Sequence, residues 1–159
     1  MAHFTRNILL PALGGALGIA LMVGLADAAH LPLTLAPFTT SIVLVMCAPQ
    51  SVFARPRNVF FGHVLSAIAG LCVVLAFGDN PWFAALAVGL AIALMQITDT
   101  MHPPAGINAL IMVTAHPAWS FVLLPVALGA ATLVAFAWSY HHAAAAMLSV
   151  RGKPREPAV

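Results

Sequence analysis

The chain has 159 residues, 62% hydrophobic and 6% charged, with a formal net charge of +2. Soluble domains carry about 25% charged residues, so six basic and four acidic side chains cannot cover a water-exposed surface of this size. That excludes a soluble domain, and the scattered basic residues exclude a nucleic-acid-binding face. The length fits one membrane domain over 1–159.

Residues 8–26 form the first apolar run. Its 19 residues exceed the ~7–15 of a signal-peptide core, so Ala26-Asp27-Ala28 is read as the end of a span and not as a cleavage site. Residues 31–49 are broken. Pro32 and Pro37 forbid a regular helix upstream, and a half-helix starts at Pro37 and stops before Pro49. Residues 58–77 and 82–98 are two further continuous runs. Residues 99–117 repeat the broken plan: Asp99, His102 and the pair Pro103-Pro104 interrupt the apolar pattern, and a half-helix runs over 105–115 until Pro117. Proline is tolerated in a first helical turn because its missing N–H would be unpaired anyway. Residues 119–141 form the last continuous run, and 142–159 read as a basic tail.

The fold expected is an all-α integral membrane protein of about six segments. Four are full helices and two are proline-broken half-helices, in a three-plus-three inverted repeat over 8–77 and 82–141. Charge sets the topology. If the broken segments cross, Arg6, Arg55, Arg57, Arg151, Lys153 and Arg155 all lie on one side, with Asp27 and Asp79 opposite. If they re-enter, Arg55 and Arg57 move to the far side. The positive-inside rule favours six crossings with both termini cytoplasmic. Trp82 and Trp119 then mark one membrane edge, and Trp138 and Tyr140 the other. Small residues four apart (Gly14 and Gly18, Ser66 and Gly70, Ala85, Gly89 and Ala93) predict close helix contacts. Cys47 and Cys72 read as small hydrophobes.

Polar residues inside the broken segments are the candidate pathway. The first turn of a helix has unpaired N–H groups and a partial positive charge. Two such ends near mid-membrane would make an anion site without a buried cation. Thr39, Thr40 and Ser41 lie near the first end, and His102, Pro104, Gly106 and Asn108 near the second. Gly106 would allow close approach of a ligand to the backbone. His102 and His63 could donate to an anion or carry a proton, because imidazole titrates near neutral pH. Arg55, Arg57 and Asp99 are candidates for a mouth or for coupling. Each has a plain structural alternative: the hydroxyls cap a helix, Asn108 bonds a neighbour, and His102 holds the break open. A Walker A sequence and a His-Glu-x-x-His motif are both missing, and no nucleophile motif stands out. The expectation is therefore no enzyme, no metal and no cofactor.

His102-Pro103-Pro104-Ala105-Gly106, preceded by Leu94-Met95-Gln96, resembles the signature of the HPP family of integral membrane proteins. Arg55-Pro56-Arg57-Asn58, followed by Gly62-His63, resembles that family's second shared stretch, and Ala36-Pro37 through Pro49 fits its first half-helix. The resemblance covers residues 35–140 and departs at Ile107-Asn108, where the family has small or hydroxyl residues. It implies transport. Plastid and cyanobacterial relatives are associated with nitrite movement, so a small inorganic anion, nitrite first, is the expected substrate. The family is usually described with four spans, which agrees with six segments if the two short apolar runs escape hydropathy counting. A bacterial inner membrane and a homo-oligomer are expected. The competing expectation is a membrane scaffold that packs against a partner. An intramembrane enzyme using Asp99 and His102 is a third, weaker reading.

Overall fold

The computed structural model describes residues 2–31 and 36–151. Six helical segments follow one another: α1 (Thr5–Ala29), α2 (Ala36–Cys47), α3 (Pro56–Phe77), α4 (Trp82–Ile97), α5 (Pro103–Ala115) and α6 (Trp119–Ser149). Among the described residues α1, α3 and α6 are long and apolar enough to span a bilayer, and α2, α4 and α5 are shorter. The expected half-helices are α2 and α5. Of the four full helices expected, α4 is the short one: its 16 residues reach ~24 Å at 1.5 Å each. The extended stretch expected before α2 includes Pro32 to Leu35, which lie outside the described residues, as do Lys153 and Arg155.

Each helix end has a local cause. His30 closes α1 in the left-handed region, φ 53°, with its N–H on Ala26 and Asp27. Gly78 closes α3 at φ 86°, a conformation open to glycine. Asn80 Oδ1 accepts from Trp82 N–H at 3.0 Å and starts α4. Two expectations at the C-terminal end are corrected. Residues 119–141 are not one unbroken helix, because Leu124 sits at φ −129°, ψ 109° ahead of Pro125. Nor does the helix stop at 141, because α6 continues through Ser149 into the stretch expected as a tail. The alanine run after His142 favours helix whether or not lipid surrounds it.

The segments run alternately up and down the bundle. Arg6, Asn7, Pro49, Gln50, His141 and Leu148 line one cavity of about 660 Å³, which puts the start of α1, the end of α2 and the late turns of α6 together. Arg57 Nη2 donates to Thr98 O at 2.9 Å, adding the α4–α5 turn to that end. At the opposite end His116, after α5, lies 3.9 Å from Asp79, before α4. The broken segments thus traverse the bundle and do not turn back. Arg6, Arg55 and Arg57 share one end, as the charge pattern predicts.

Packing groups the helices across the boundary of the expected repeats. Met22, Phe38, Ile42, Val45, Met46 and Leu133 join α1, α2 and α6. Ala69, Val73, Ala84, Ala87, Ala91, Met95 and Ala109 join α3, α4 and α5. Ala67, Met112, Phe121 and Val126 tie the two groups together. Alanine dominates the second group, so its backbones lie close. A Cβ on Gly70 would stand 2.5 Å from Met112 Cβ and 2.8 Å from Ala109 O. Gly14 and Gly18 meet Met46 and Phe136 in the same way. The expected Ala85-Gly89-Ala93 contact is not made: all three are exposed, and α4 packs through Ala84, Ala87, Ala91 and Met95. Large apolar side chains cover the outside, including Leu75, Trp82 and Ile97, as a lipid-facing surface requires.

Candidate functional site

The buried polar residues converge where α2, α3 and α5 meet. Ser41 lies one turn past Pro37 on α2, His63 two turns into α3, His102 just ahead of α5, and Asn108 one turn into it. All four are 0% exposed. His102 is extended, φ −140° and ψ 93°, because the following Pro103 disfavours helical geometry.

These side chains bond to one another. Ser41 Oγ lies 2.7 Å from His102 Nε2, 2.9 Å from His63 Nε2 and 2.7 Å from its own helix carbonyl, Pro37 O. His102 Nδ1 donates to Phe53 O at 2.7 Å. Asn108 Nδ2 donates to His63 Nδ1 at 2.8 Å and to His63 O at 3.2 Å. The two imidazole centroids are 5.2 Å apart, and the Phe38 ring covers His63 at 5.0 Å. Asn108 Oδ1 is buried without a hydrogen-bond partner among the described residues.

A ring of supports holds this chain in place. Gly62 lets His102 pack on α3: a Cβ there would stand 2.7 Å from His102 Cβ. Asn58 Nδ2 donates to Met101 O at 3.0 Å, fixing the extended stretch that carries His102. Ala109 N–H donates to Ser66 Oγ at 3.1 Å, anchoring the first turns of α5 to α3. Thr98 and Thr100 hydroxyls bond at 2.8 Å and shape the turn.

The expected residues divide cleanly. Ser41, His63, His102 and Asn108 come together. Thr39 and Thr40 do not: both are exposed, and Thr40 bonds back to Ala36 O and Pro37 O. Pro104 and Gly106 are half-buried beside the cluster, and nothing lies within 4 Å of a Cβ built on Gly106. Close backbone approach is therefore not what Gly106 supplies here. Arg55, Arg57 and Asp99 are exposed at the bundle end, with Asp99 at φ 54° in the turn.

The facing pair of electropositive helix ends is also corrected. Ser41, one turn inside α2, meets His102, and direct hydrogen bonds fill the space between them. Pro103 and Pro104 carry no N–H, Ala105 N–H donates to His102 O, and Gly106 N–H donates to Pro103 O. The α5 end thus has few free donors, because prolines that start a helix also remove the groups that would hold an anion. The residues that sequence reasoning passed over are Asn58, Ser66 and the Phe53 carbonyl. Asn58 was visible within the Arg55–His63 stretch. A backbone carbonyl carries no signal in sequence.

Comparison with known proteins adds a family. The pattern of the HPP transmembrane region matches residues 2–148. Two transmembrane proteins of Dictyostelium discoideum are similar. One is 39% identical over 108 residues, which is 63% of this chain and 35% of the relative. The other is 38% identical over 110 residues, 64% of this chain and 39% of the relative. The match thus spans little more than a third of those relatives' length. No solved structure matches.

Proposed function

The chain belongs to the HPP family of transmembrane proteins, and from that premise we propose that it carries a small inorganic anion across its membrane, with nitrite the first candidate. One observation carries the reading: Ser41, His63, His102 and Asn108, each 0% exposed, meet at the junction of two proline-broken segments in an otherwise apolar chain. Polar and ionisable groups inside a membrane are expensive and mark pathways by default. The cluster is also rich in donors: two ring N–H groups, a hydroxyl and an amide NH₂. In the closed arrangement they satisfy each other. Separation of α2 from α5 would turn the same donors toward an anion, replacing part of its hydration shell. This is carrier behaviour, with the closed network as the occluded state. No enzymatic step and no cofactor enter the reading.

The basic end, with Arg6, Arg55 and Arg57, faces the cytoplasm in this proposal, and the membrane is a bacterial inner membrane. Two sets of three helices related by inversion and a homo-oligomer complete the picture, as in transporters with broken helices at a repeat interface.

A second reading is favoured by the closure of the network itself. Side chains already bonded to one another can serve as a clasp in a membrane scaffold. Uptake into proteoliposomes separates the two. Nitrite, nitrate and chloride are offered in turn to vesicles holding the full chain, with empty vesicles as baseline. The carrier reading expects uptake of at least one anion. It also expects a fall of about tenfold in His102→Gln, the scale of one good hydrogen bond. If none of the three anions moves, the scaffold reading stands and the carrier reading fails.

A further inference from the structure

The donors and acceptors of the buried cluster can be assigned one by one from its two ends. Phe53 O only accepts, so the proton on His102 lies on Nδ1 and its Nε2 carries a lone pair. Asn108 Nδ2 only donates, so His63 Nδ1 carries a lone pair and its proton lies on Nε2. His63 Nε2–H then donates to Ser41 Oγ at 2.9 Å. The Ser41 hydroxyl donates its one proton to His102 Nε2 at 2.7 Å. Every donor points the same way: Asn108 to His63 to Ser41 to His102 to Phe53 O. The two histidines are held as opposite tautomers.

The same heavy-atom positions also accept one extra proton. Pro37 O lies 2.7 Å from Ser41 Oγ as a second acceptor. When the hydroxyl turns to it, Ser41 Oγ presents lone pairs to both rings. His102 can then hold protons on both nitrogens, donating to Phe53 O and to Ser41 Oγ. Neutral and protonated His102 are both fully hydrogen-bonded, and only a hydroxyl hydrogen moves between them.

We propose that His63, Ser41 and His102 form a proton relay between Asn108 and the Phe53 loop. One proton, delivered by a hydronium ion that reaches the Asn108 end, passes to His63 Nδ1 and leaves water behind, displacing the amide of Asn108, whose unpartnered Oδ1 can turn to accept from it. The Nε2 proton of His63 passes to Ser41 Oγ as the hydroxyl proton passes to His102 Nε2. The Nδ1 proton of His102 leaves to a water at the Phe53 loop. One proton enters, one leaves, and no charge accumulates. The relay is left with both tautomers exchanged and His102 Nδ1 facing Phe53 O lone pair to lone pair. Reversal along the same path would carry the proton back, so a net turnover has each ring exchange its proton with water when the cluster opens, after which Phe53 O and the Asn108 amide select the starting tautomers again.

The surroundings leave this path undisturbed by other charges. The two imidazoles face each other, with ring centroids 5.2 Å apart. On α3, Arg57 is exposed and bonded to Thr98 O. Arg55 and Asp99 are exposed, and Cys47 on α2 is exposed. On α6, Tyr140 donates to Leu10 O and His141 contacts Val45 O. Segments α4 and α5 carry no titratable side chain.

The relay deepens the carrier reading by supplying a coupled ion, and rests on that reading only for the coupling. Two measurements test it separately. In the first, ¹⁵N spectra of histidine-labelled full-length protein in lipid at about pH 8 report tautomers, with His63→Gln and His102→Gln variants for assignment. The expected result is a proton on Nε2 of His63 and on Nδ1 of His102, and the same tautomer on both rings overturns the relay. In the second, a pH step drives proton flux into proteoliposomes with nitrite at equal concentration on both sides. The wild type is expected to exceed empty vesicles, Ser41→Ala to fall to their level, and Ser41→Thr, which keeps the hydroxyl, to retain flux. Proton flux unchanged in Ser41→Ala overturns the relay whatever the anion assay gives. Flux that depends on Ser41 without anion uptake supports the relay and overturns the anion reading. The tautomer measurement needs no folded Ser41 variant and decides the relay if that variant is unstable.

Discussion

Single side chains here are constrained by what stands behind them as much as by their partners. Gly62 and Gly106 flank the same cluster and differ completely in this respect. A methyl group on Gly62 would stand 2.7 Å from His102 Cβ and 3.2 Å from Thr100 O. On Gly106 it would meet nothing within 4 Å. Gly62→Ala is therefore expected to destabilise the protein by about 1–3 kcal/mol, as overpacking of a tight site does. Gly106→Ala is expected to be neutral or slightly stabilising, since alanine is the better helix former by roughly 0.5–1 kcal/mol. Thermal unfolding in one detergent checks both, and equal melting temperatures for the two variants would contradict the packing described. The pair also shows how a motif misleads. Gly106 sits inside the family signature yet is roomy, while Gly62, met in sequence only as the residue before His63, has no room at all.

Helices in lipid gain little from hydrophobic burial against one another, so close packing decides which face is used. On α4 the contact face is Ala84, Ala87, Ala91 and Met95, and the neighbouring face with Gly89 is open. Ala87→Leu is expected to cost about 1–3 kcal/mol, because the residue is 0% exposed and backed by other alanines. Gly89→Leu is expected to be tolerated and to leave the protein soluble in the same detergent. Size-exclusion profiles and melting temperatures of the two variants make the comparison, and a monodisperse Ala87→Leu beside an aggregated Gly89→Leu would reverse the face assignment. Composition alone does not choose between the faces, since α4 contains five alanines and a glycine within 16 residues. Spacing of small residues is a weak guide in such a segment, because every register satisfies it.

Across the whole molecule, alternation of the six segments places Gln50 at the basic end and Ala118 at the other. In a background with Cys47 and Cys72 replaced by alanine, Gln50→Cys and Ala118→Cys should react with an impermeant thiol reagent from opposite sides of sealed vesicles. Labelling of both from one side would mean that a broken segment turns back. The same alternation explains why α3 packs with α4 and α5, and α6 with α1 and α2, so that neither half of the chain forms its own core. Between the two groups lie the third cluster around Met112 and Val126 and the buried polar chain.

Hydropathy and proline spacing determined the membrane class, the six segments, the two short helices and the shared end of Arg6, Arg55 and Arg57. These depend on local rules: apolar length sets what lipid will accept, proline sets where a helix begins, and charge sets which loop stays in water. The partners of the polar residues were decided only by tertiary structure. Thr39 and Ser41 are nearly adjacent, and the rotation of α2 buries one and exposes the other. Ser41 and His102 are 61 residues apart, and their contact exists because α2 and α5 cross beside Gly62. Hydrogen bonding is directional and short-ranged, so a polar residue's role follows from what faces it across the helix contact, which a one-dimensional pattern does not contain.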